Sequence, residues 1–317
     1  MFISKSPLRV SFFGGSTDYE DFYSKHGSLL IGTTIDKYSV TGLRYRPRFL
    51  DDCIHIAANK YDVVDNVEDI KNPLIREILK YYNVLKNIDL FTFNDIPPRT
   101  GLGGSSSFCV SLIHSIYKLL NKELDKKTII KEAIDIERNV LKESGGIQDQ
   151  IWASYGGLNS IDIIPNGDFF IKPLPVCEEF IKEFKHSMAL IYTNTQRDTS
   201  LIAKSHENVD KSNLLSIAEE GLKYFTNEDI PRVGSLIKTS WEEKRSISNL
   251  ISNDSVDAII EHVITLGAYG AKLLGTGGCG FICVIAPKDV IHKINDIYRD
   301  KILDFNFDTQ GSHTVLS

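Results

Sequence analysis

The chain has 317 residues, 42% of them hydrophobic and 25% charged, which suits a soluble globular protein with one large domain or two lobes. A net charge of -6 leaves no excess of cations to displace counterions, which argues against a nucleic-acid surface, although a local phosphate site remains open to it. The five cysteines, Cys53, Cys109, Cys177, Cys279 and Cys283, are odd in number, scattered and without a C-x-x-C pair, the pattern of reduced thiols in a cytoplasmic protein.

The opening MFISKSPLRV enters a strand directly, without the apolar run of a signal peptide, and no later stretch approaches a membrane span. The strand-like LRVSFF carries Arg9 beside Val10, Phe12 and Phe13, and a turn follows with Gly14, Gly15, Ser16, Asp18 and Tyr19. A guanidinium among apolar neighbours calls for an anionic partner; a strand end with a turn aspartate is the plainer alternative. SLLIGTTIDKYSVTGLRYR, CIHIAA and IDLFTFNDIP alternate like further strands. In RYRPRF a period of two would place Arg44, Arg46 and Arg48 on one face, with Pro47 suggesting a solvated edge.

IPPRTGLGGSSSF, residues 96–108, follows a strand and opens a helix predicted over Ser106–Leu120, with Cys109, Leu112, Ile113, Ile116 and Leu120 on one face. Glycines let backbone N–H groups turn toward a ligand, and the helix N-terminus adds partial positive charge. Ser105, Ser106 and Ser107 offer hydroxyls to phosphate oxygens or a magnesium ion. No lysine follows the glycines, so this is not a G-x-x-x-x-G-K-[ST] loop, and a glycine turn with serine caps is the alternative.

A second helix is predicted over Lys127–Lys142, with Ile130, Ala133, Ile134, Val140 and Leu141 as its apolar stripe. Glu137 sits inside that stripe, so its carboxylate needs a metal, a cation or a proton; a structural salt bridge would also serve. After the Gly145-Gly146 turn a short helix is expected around Gln148–Ser154, with Asp149 in a first turn where the helix dipole favours an acid. GGLNSIDIIP and DFFIKPLPV read as a hairpin.

The boundary between lobes falls near residue 180, giving 1–180 and 181–317. Beyond it come the strand MALIYTN and helical segments at 199–209, 212–224, 230–251 and 255–266. GTGGCG at 275–280 matches G-x-G-x-x-G, but a helix-like segment, VDAIIEHVITLGAYGAKLL, precedes it and the strand FICVIAP follows. That is the wrong order for a dinucleotide loop. These glycines either cover a ligand from the second lobe or make a tight helix-to-strand turn. A helix near 288–299 and a strand-like tail complete an α+β chain. The eight histidines show no zinc spacing.

PLRVSFFGGSTDY, PPRTGLGGSSS and LLGTGGCGF, in that order and with Glu137 and Asp149 between the second and third, resemble the three motifs of the GHMP kinases (galactokinase, homoserine kinase, mevalonate kinase, phosphomevalonate kinase). The resemblance spans nearly the whole chain. It implies an N-terminal lobe like ribosomal protein S5 domain 2, a ferredoxin-like C-terminal lobe, and ATP and substrate between them. It also implies transfer of the terminal phosphoryl group of ATP to a sugar hydroxyl. Carried over by motif, Gly101, Leu102, Gly103, Gly104, Ser105 and Ser106 would hold the ATP phosphates. Ser105 or Ser106 with Glu137 would hold Mg2+. Asp149 would take the substrate hydroxyl proton or orient that hydroxyl, and Arg9 would stabilise the Asp149 anion and the transferring charge. Gly14, Gly15, Ser16, Asp18, Tyr19, Gly277 and Gly278 would face the substrate.

Galactokinases carry Glu-His where this chain has Gly15-Ser16. GGSTDY and GGIQDQIWASYGGLN look most like the bacterial D-glycero-D-manno-heptose 7-phosphate kinases, with the fucokinase branch similar in the same places. The implied partner is therefore a sugar or sugar phosphate, not nucleic acid or membrane; the sequence leaves the oligomeric state open. A sugar phosphate needs a cation at its far end, and Arg44 and Arg197, the latter in TNTQRDTS, are candidates.

Overall fold

The twelve strands among the described residues are β1 (Phe2–Phe13), β2 (Ser28–Tyr45), β3 (Ile54–Ala57), β4 (Tyr61–Val64), β5 (Ile88–Asn94), β6 (Asn159–Ile163), β7 (Phe169–Pro173), β8 (Met188–Tyr192), β9 (Gly270–Leu273), β10 (Phe281–Ile285), β11 (Phe307–Asp308) and β12 (His313–Leu316). The computed structural model describes residues 1–47, 49, 53–58, 60–193 and 200–316, so Arg48 and Arg197 lie outside the described residues.

β2 organises the first sheet. Along one edge it runs antiparallel to β1, with Arg9 opposite Thr34. Along the other its length serves three partners in turn: β6 at residues 28–32, β11 at 34–35 and β5 at 39–45. The path β12-β1-β2-β5-β3-β4 is antiparallel except for β3 against β5, and β7 extends the sheet from β6. The chain end thus returns to the first sheet, where His313 pairs with Lys5. β2 is an interior strand here, so the edge expected from Pro47 is not formed: Arg44 pairs in register with Asp89 of β5. A smaller antiparallel sheet, β8-β10-β9, belongs to the second part of the chain.

The helices are α1 (Glu20–His26), α2 (Pro73–Tyr81), α3 (Gly104–Leu119), α4 (Lys126–Asp135), α5 (Gln148–Tyr155), α6 (Glu178–His186), α7 (Ser200–Ser205), α8 (Ser212–Thr226), α9 (Ile230–Ser246), α10 (Asp254–Thr265) and α11 (Lys288–Ile297). α3 fills one face of the first sheet because almost every position is apolar or small: Cys109, Leu112, Ile113 and Ile116 meet Leu43, Ile54 and Leu90 from the strands. The opposite face shares a core with the second part of the chain. There Val10, Phe12 and Ile31 meet Phe184 of α6, Phe225 of α8, Val233 of α9 and Cys283 of β10. Burial from both sides explains why Leu8 through Phe13 are apolar apart from Arg9 and Ser11. The far face of the small sheet is covered by Ile260 and Val263 of α10 and Ile291 and Ile294 of α11. The α+β class expected from the sequence is the observed one.

Three predicted elements differ. The helix predicted over 255–266 is α10, but the rest of the helix-like run to Leu274 holds the strand β9, because Gly267 at φ 106 ends the helix and releases the chain. The helix predicted to Lys142 ends at Asp135 and continues as a π turn over Ile136–Val140. The extra residue in that turn rotates Val140 to the surface, off the stripe assigned to it, while Glu137 stays inside. The helix expected over 230–251 stops at Ser246. α1, α2, α6 and β4 were not anticipated; α2 was signalled by Asn72-Pro73, where the Asn72 side chain accepts from the amides of Leu74 and Ile75.

Candidate active site

Arg9 leaves the middle of β1 and is only 5% exposed. Its Nε and Nη2 donate to Asp149 Oδ1 and Oδ2 at 2.8 and 2.9 Å, a bidentate pair across 140 positions of sequence. The remaining guanidinium nitrogen, Nη1, donates to the Gly101 carbonyl, and the Arg9 amide donates to the Leu102 carbonyl at 3.0 Å. One strand residue therefore ties the glycine-serine loop to the acid of α5.

Gly103, at φ 74, caps α3 in the left-handed region, and a Cβ there would lie 3.2 Å from Asp149 Oδ2. Asp149 thus hangs over the start of α3, whose first amides have no acceptor within the helix. Gly104, Ser105 and Ser106 supply those amides, an arrangement suited to phosphate oxygens. Leu102 is buried and contributes its carbonyl rather than its side chain.

Asp149 is held in place from below. Asp18 is fully buried; it accepts from the amides of Ser16 at 3.0 Å and Gln148 at 3.1 Å, and from Gln148 Nε2 at 3.2 Å. Its backbone carbonyl takes the Ile147 amide. Burial, helped by the nearby Asp149 charge, raises the Asp18 carboxyl above the usual range. Gly146 must be glycine, because a Cβ would fall 1.8 Å from Asp18 Oδ2. Arg138 completes the clamp, donating to the Gly146 carbonyl at 2.8 Å and the Glu143 carbonyl at 3.2 Å.

Glu137 is 1% exposed and faces Ser106, whose hydroxyl lies 3.1 and 2.9 Å from its two carboxylate oxygens. Gln150 Nε2 donates to the same carboxylate and to Ser106 Oγ, while Gln150 Oε1 is buried without a partner. Burial pushes the Glu137 carboxyl up to about 7, against the lowering pull of Arg138, Gln150 and Ser106. No cluster of three His, Cys, Asp or Glu occurs among the described residues. Mg2+ does not require one, since it keeps several waters and takes one or two protein oxygens beside substrate phosphates. A buried carboxylate with a paired hydroxyl fits that donor set.

The two remaining glycine clusters part company. Gly15 and Ser16 line the cavity, whereas Gly14 packs against the backbone of Leu29. Tyr19 lines it too, with the Lys211 ammonium 4.9 Å from its ring centroid. His206 links Ser16 Oγ, at 3.0 Å, to the Thr276 carbonyl, at 3.0 Å, so its Nε2 carries the proton and Nδ1 accepts. Burial lowers the His206 pKa to about 4.

GTGGCG joins β9 to β10, so it is a strand-to-strand turn rather than the helix-to-strand turn expected. Neither order suits a dinucleotide loop. Its task is visible in the backbone: a Cβ on Gly275, at φ 73, would lie 2.5 Å from the Gly101 Cα, and one on Gly101 would lie 2.5 Å from the Leu274 carbonyl. Two glycine loops abut main chain to main chain. Gly275→Ala should therefore destabilise the fold by roughly 2–4 kcal/mol, combining left-handed strain with overpacking. It should also raise the KM for nucleotide, checked by denaturant unfolding and initial rates. Gly277 lines the glycine-loop side of the cleft, and Gly278 packs behind it against Ile202.

Two adjoining pockets meet at Arg9, Ser105, Asp149, Gly275 and Thr276. The first contains Asp18, Tyr19 and Glu137; the second contains Gly101, Gly103 and Gly104. Arg44 belongs to neither. Its side chain is 52% exposed and paired with Asp89 at 2.7 Å. Lys244 and Lys272 line the first pocket and were not anticipated. Lys244 stands three residues after Trp241 and seven after Ile237, a cation in an apolar stripe, the same signal that singles out Glu137.

Residues 70–157 match the GHMP kinases N terminal domain and residues 222–300 the GHMP kinases C terminal domain, together just over half of the chain. The chain is 27% identical over 97% of its length, and 97% of the relative's, to a D-glycero-alpha-D-manno-heptose 7-phosphate kinase of Campylobacter jejuni. It is 24% identical to a galactokinase of Pyrococcus furiosus, over 96% of this chain and 94% of the relative. A solved D-glycero-D-manno-heptose 1-phosphate kinase from Bacteriodes thetaiotaomicron shares the fold at TM-score 0.81 and 21% identity, over 100% of this chain and 99% of that one.

Proposed function

Because this chain belongs to the GHMP kinases, we propose that it is the ATP-dependent sugar kinase that phosphorylates the anomeric hydroxyl of D-glycero-D-manno-heptose 7-phosphate, giving the 1,7-bisphosphate. The observation that carries the reading is the Arg9–Asp149 pair, set over the free amides of α3 where the two pockets meet. The Campylobacter relative, similar from end to end, supports the heptose phosphate as acceptor, as does Gly15-Ser16 in place of the galactokinase Glu-His.

Phosphoryl transfer asks the protein for position and charge more than for covalent help. The amides of Gly104, Ser105 and Ser106 hold the nucleotide's phosphates with the terminal one toward Asp149. Asp149 accepts the acceptor's hydroxyl proton, or orients it, as the new oxygen–phosphorus bond forms and the bond to the ADP oxygen breaks. Arg9 fixes the angle of that carboxylate and carries positive charge to the reacting centre. Glu137 and the Ser106 hydroxyl would hold Mg2+, which when bound neutralises charge on the β- and γ-oxygens.

ADP release from a panel of sugars and sugar phosphates tests the assignment. Turnover concentrated on heptose 7-phosphate supports it. Good turnover of fucose, galactose or mevalonate with none of the heptose phosphate rejects that acceptor but keeps the kinase. No turnover of any acceptor, with ATP and sugar both bound, would make the chain a catalytically silent sensor.

A further inference from the structure

Four cations line the cavity, and among the described residues two of the buried ones, Lys244 and Lys272, have no counter-ion. Lys272 reaches from β9 toward β1 and donates to the Phe12 carbonyl at 2.8 Å; Lys244 reaches from α9 and donates to the Gly275 carbonyl. They are 5% and 6% exposed. Neither has a carboxylate within ion-pair distance among the described residues. One neutral carbonyl apiece is poor compensation for a buried ammonium, and Arg9 adds like charge nearby. Three of the four carboxylates that line the cavity are otherwise engaged, Asp149 by Arg9, Asp18 by the amides of Ser16 and Gln148, and Glu137 by Ser106 and Gln150, while the fourth, Glu143, is exposed. Burial, with the neighbouring cations, accordingly lowers the Lys244 pKa to about 7 and the Lys272 pKa to about 8. Two buried ammonium groups without a carboxylate are costly, and a dianion bound beside them offsets that cost.

Resting on the acceptor class proposed above, we infer that Lys244 and Lys272 form the subsite for the phosphate that the acceptor already carries. The nucleotide's phosphates are the other possible source of that charge, but the lysines are absent from the pocket lined by Gly101, Gly103 and Gly104 and present in the one lined by Asp18 and Tyr19. Arg44, exposed and paired with Asp89, is not needed for the task.

The test compares wild type with Lys244→Met and Lys272→Met, which keep the side-chain length and remove the charge. Four readouts apply: KM for heptose 7-phosphate, Kd for MgATP, calorimetric binding of inorganic phosphate to the free protein, and melting temperature. The subsite predicts a tenfold or greater rise in sugar-phosphate KM, an MgATP Kd within twofold, lost phosphate binding, and melting no lower than wild type. A sugar-phosphate KM within twofold of wild type, or an equal loss of MgATP binding, overturns it. If wild type turns over no sugar phosphate, the proposed function fails. Phosphate binding that is present in wild type and lost in both variants would still uphold the subsite, and its absence from wild type would remove it.

Discussion

Asp149→Asn should lower kcat by roughly 10²–10⁴-fold, the range for a positioned proton acceptor, and leave MgATP affinity nearly unchanged. The amide preserves the shape of the side chain, so the first turn of α5 and the Asp18 clamp below it stay in place. What disappears is the charge, and with it both the proton acceptor and the partner of a guanidinium that is 5% exposed. A buried cation stripped of its counter-ion costs about 3–5 kcal/mol, so the variant should also be less stable. Pairing it with Arg9→Met removes the stranded charge. That double variant should recover stability without recovering rate, which separates the catalytic loss from the folding loss. An Asp149→Asn enzyme with wild-type kcat would take Asp149 out of the chemistry.

Glu137→Gln should do the reverse to stability. In the metal-free protein the buried carboxyl is pushed up to about 7 from an ordinary 4.5, so the native state favours its neutral form. Stability from this group is complete below pH 4.5 and is lost as pH rises through 7, because the unfolded chain then releases the proton more readily than the native one. A glutamine keeps the neutral shape at every pH. The metal-free variant should therefore be as stable as wild type at pH 5 and more stable at pH 8, as measured by denaturant unfolding. Its catalysis should suffer all the same: loss of a buried oxygen ligand should cost on the order of 10–100-fold in Mg2+ affinity, with a matching fall in kcat/KM for MgATP. A structural salt bridge would show the opposite signs, with stability lost and the magnesium requirement unmoved.

The parts of the site legible in the sequence were those whose anomaly is local. Arg9 sits among Val10, Phe12 and Phe13; Glu137 interrupts an apolar stripe; glycines and serines precede a long helix. Each could be weighed without knowing its partner; it was the family resemblance, not the residues themselves, that set Arg9 against Asp149, 140 positions away, and the fold brings the two together. Lys244 and Lys272 carried the same kind of signal, but α9 is polar enough to read as a surface helix, and AKLL blended into the helical pattern before it. β9 was missed for that reason: alanine and leucine favour a helix, and pairing with β10 overrides them. The Asp18 clamp was legible only as a turn aspartate, because the amide it grips lies 130 residues onward. The π turn at 136–140 has no sequence signature that sets it apart from ordinary helix, yet it points Glu137 inward and Arg138 toward the Gly146 carbonyl.

The decisive measurement is phosphorus NMR of the product formed from MgATP and D-glycero-D-manno-heptose 7-phosphate. ADP and a bisphosphate should appear, with a new resonance coupled to the anomeric proton, acid-labile at that position and formed roughly 10²–10⁴-fold more slowly by Asp149→Asn. A new phosphate on any other hydroxyl, or the same product at the same rate from Asp149→Asn, would contradict the proposed function.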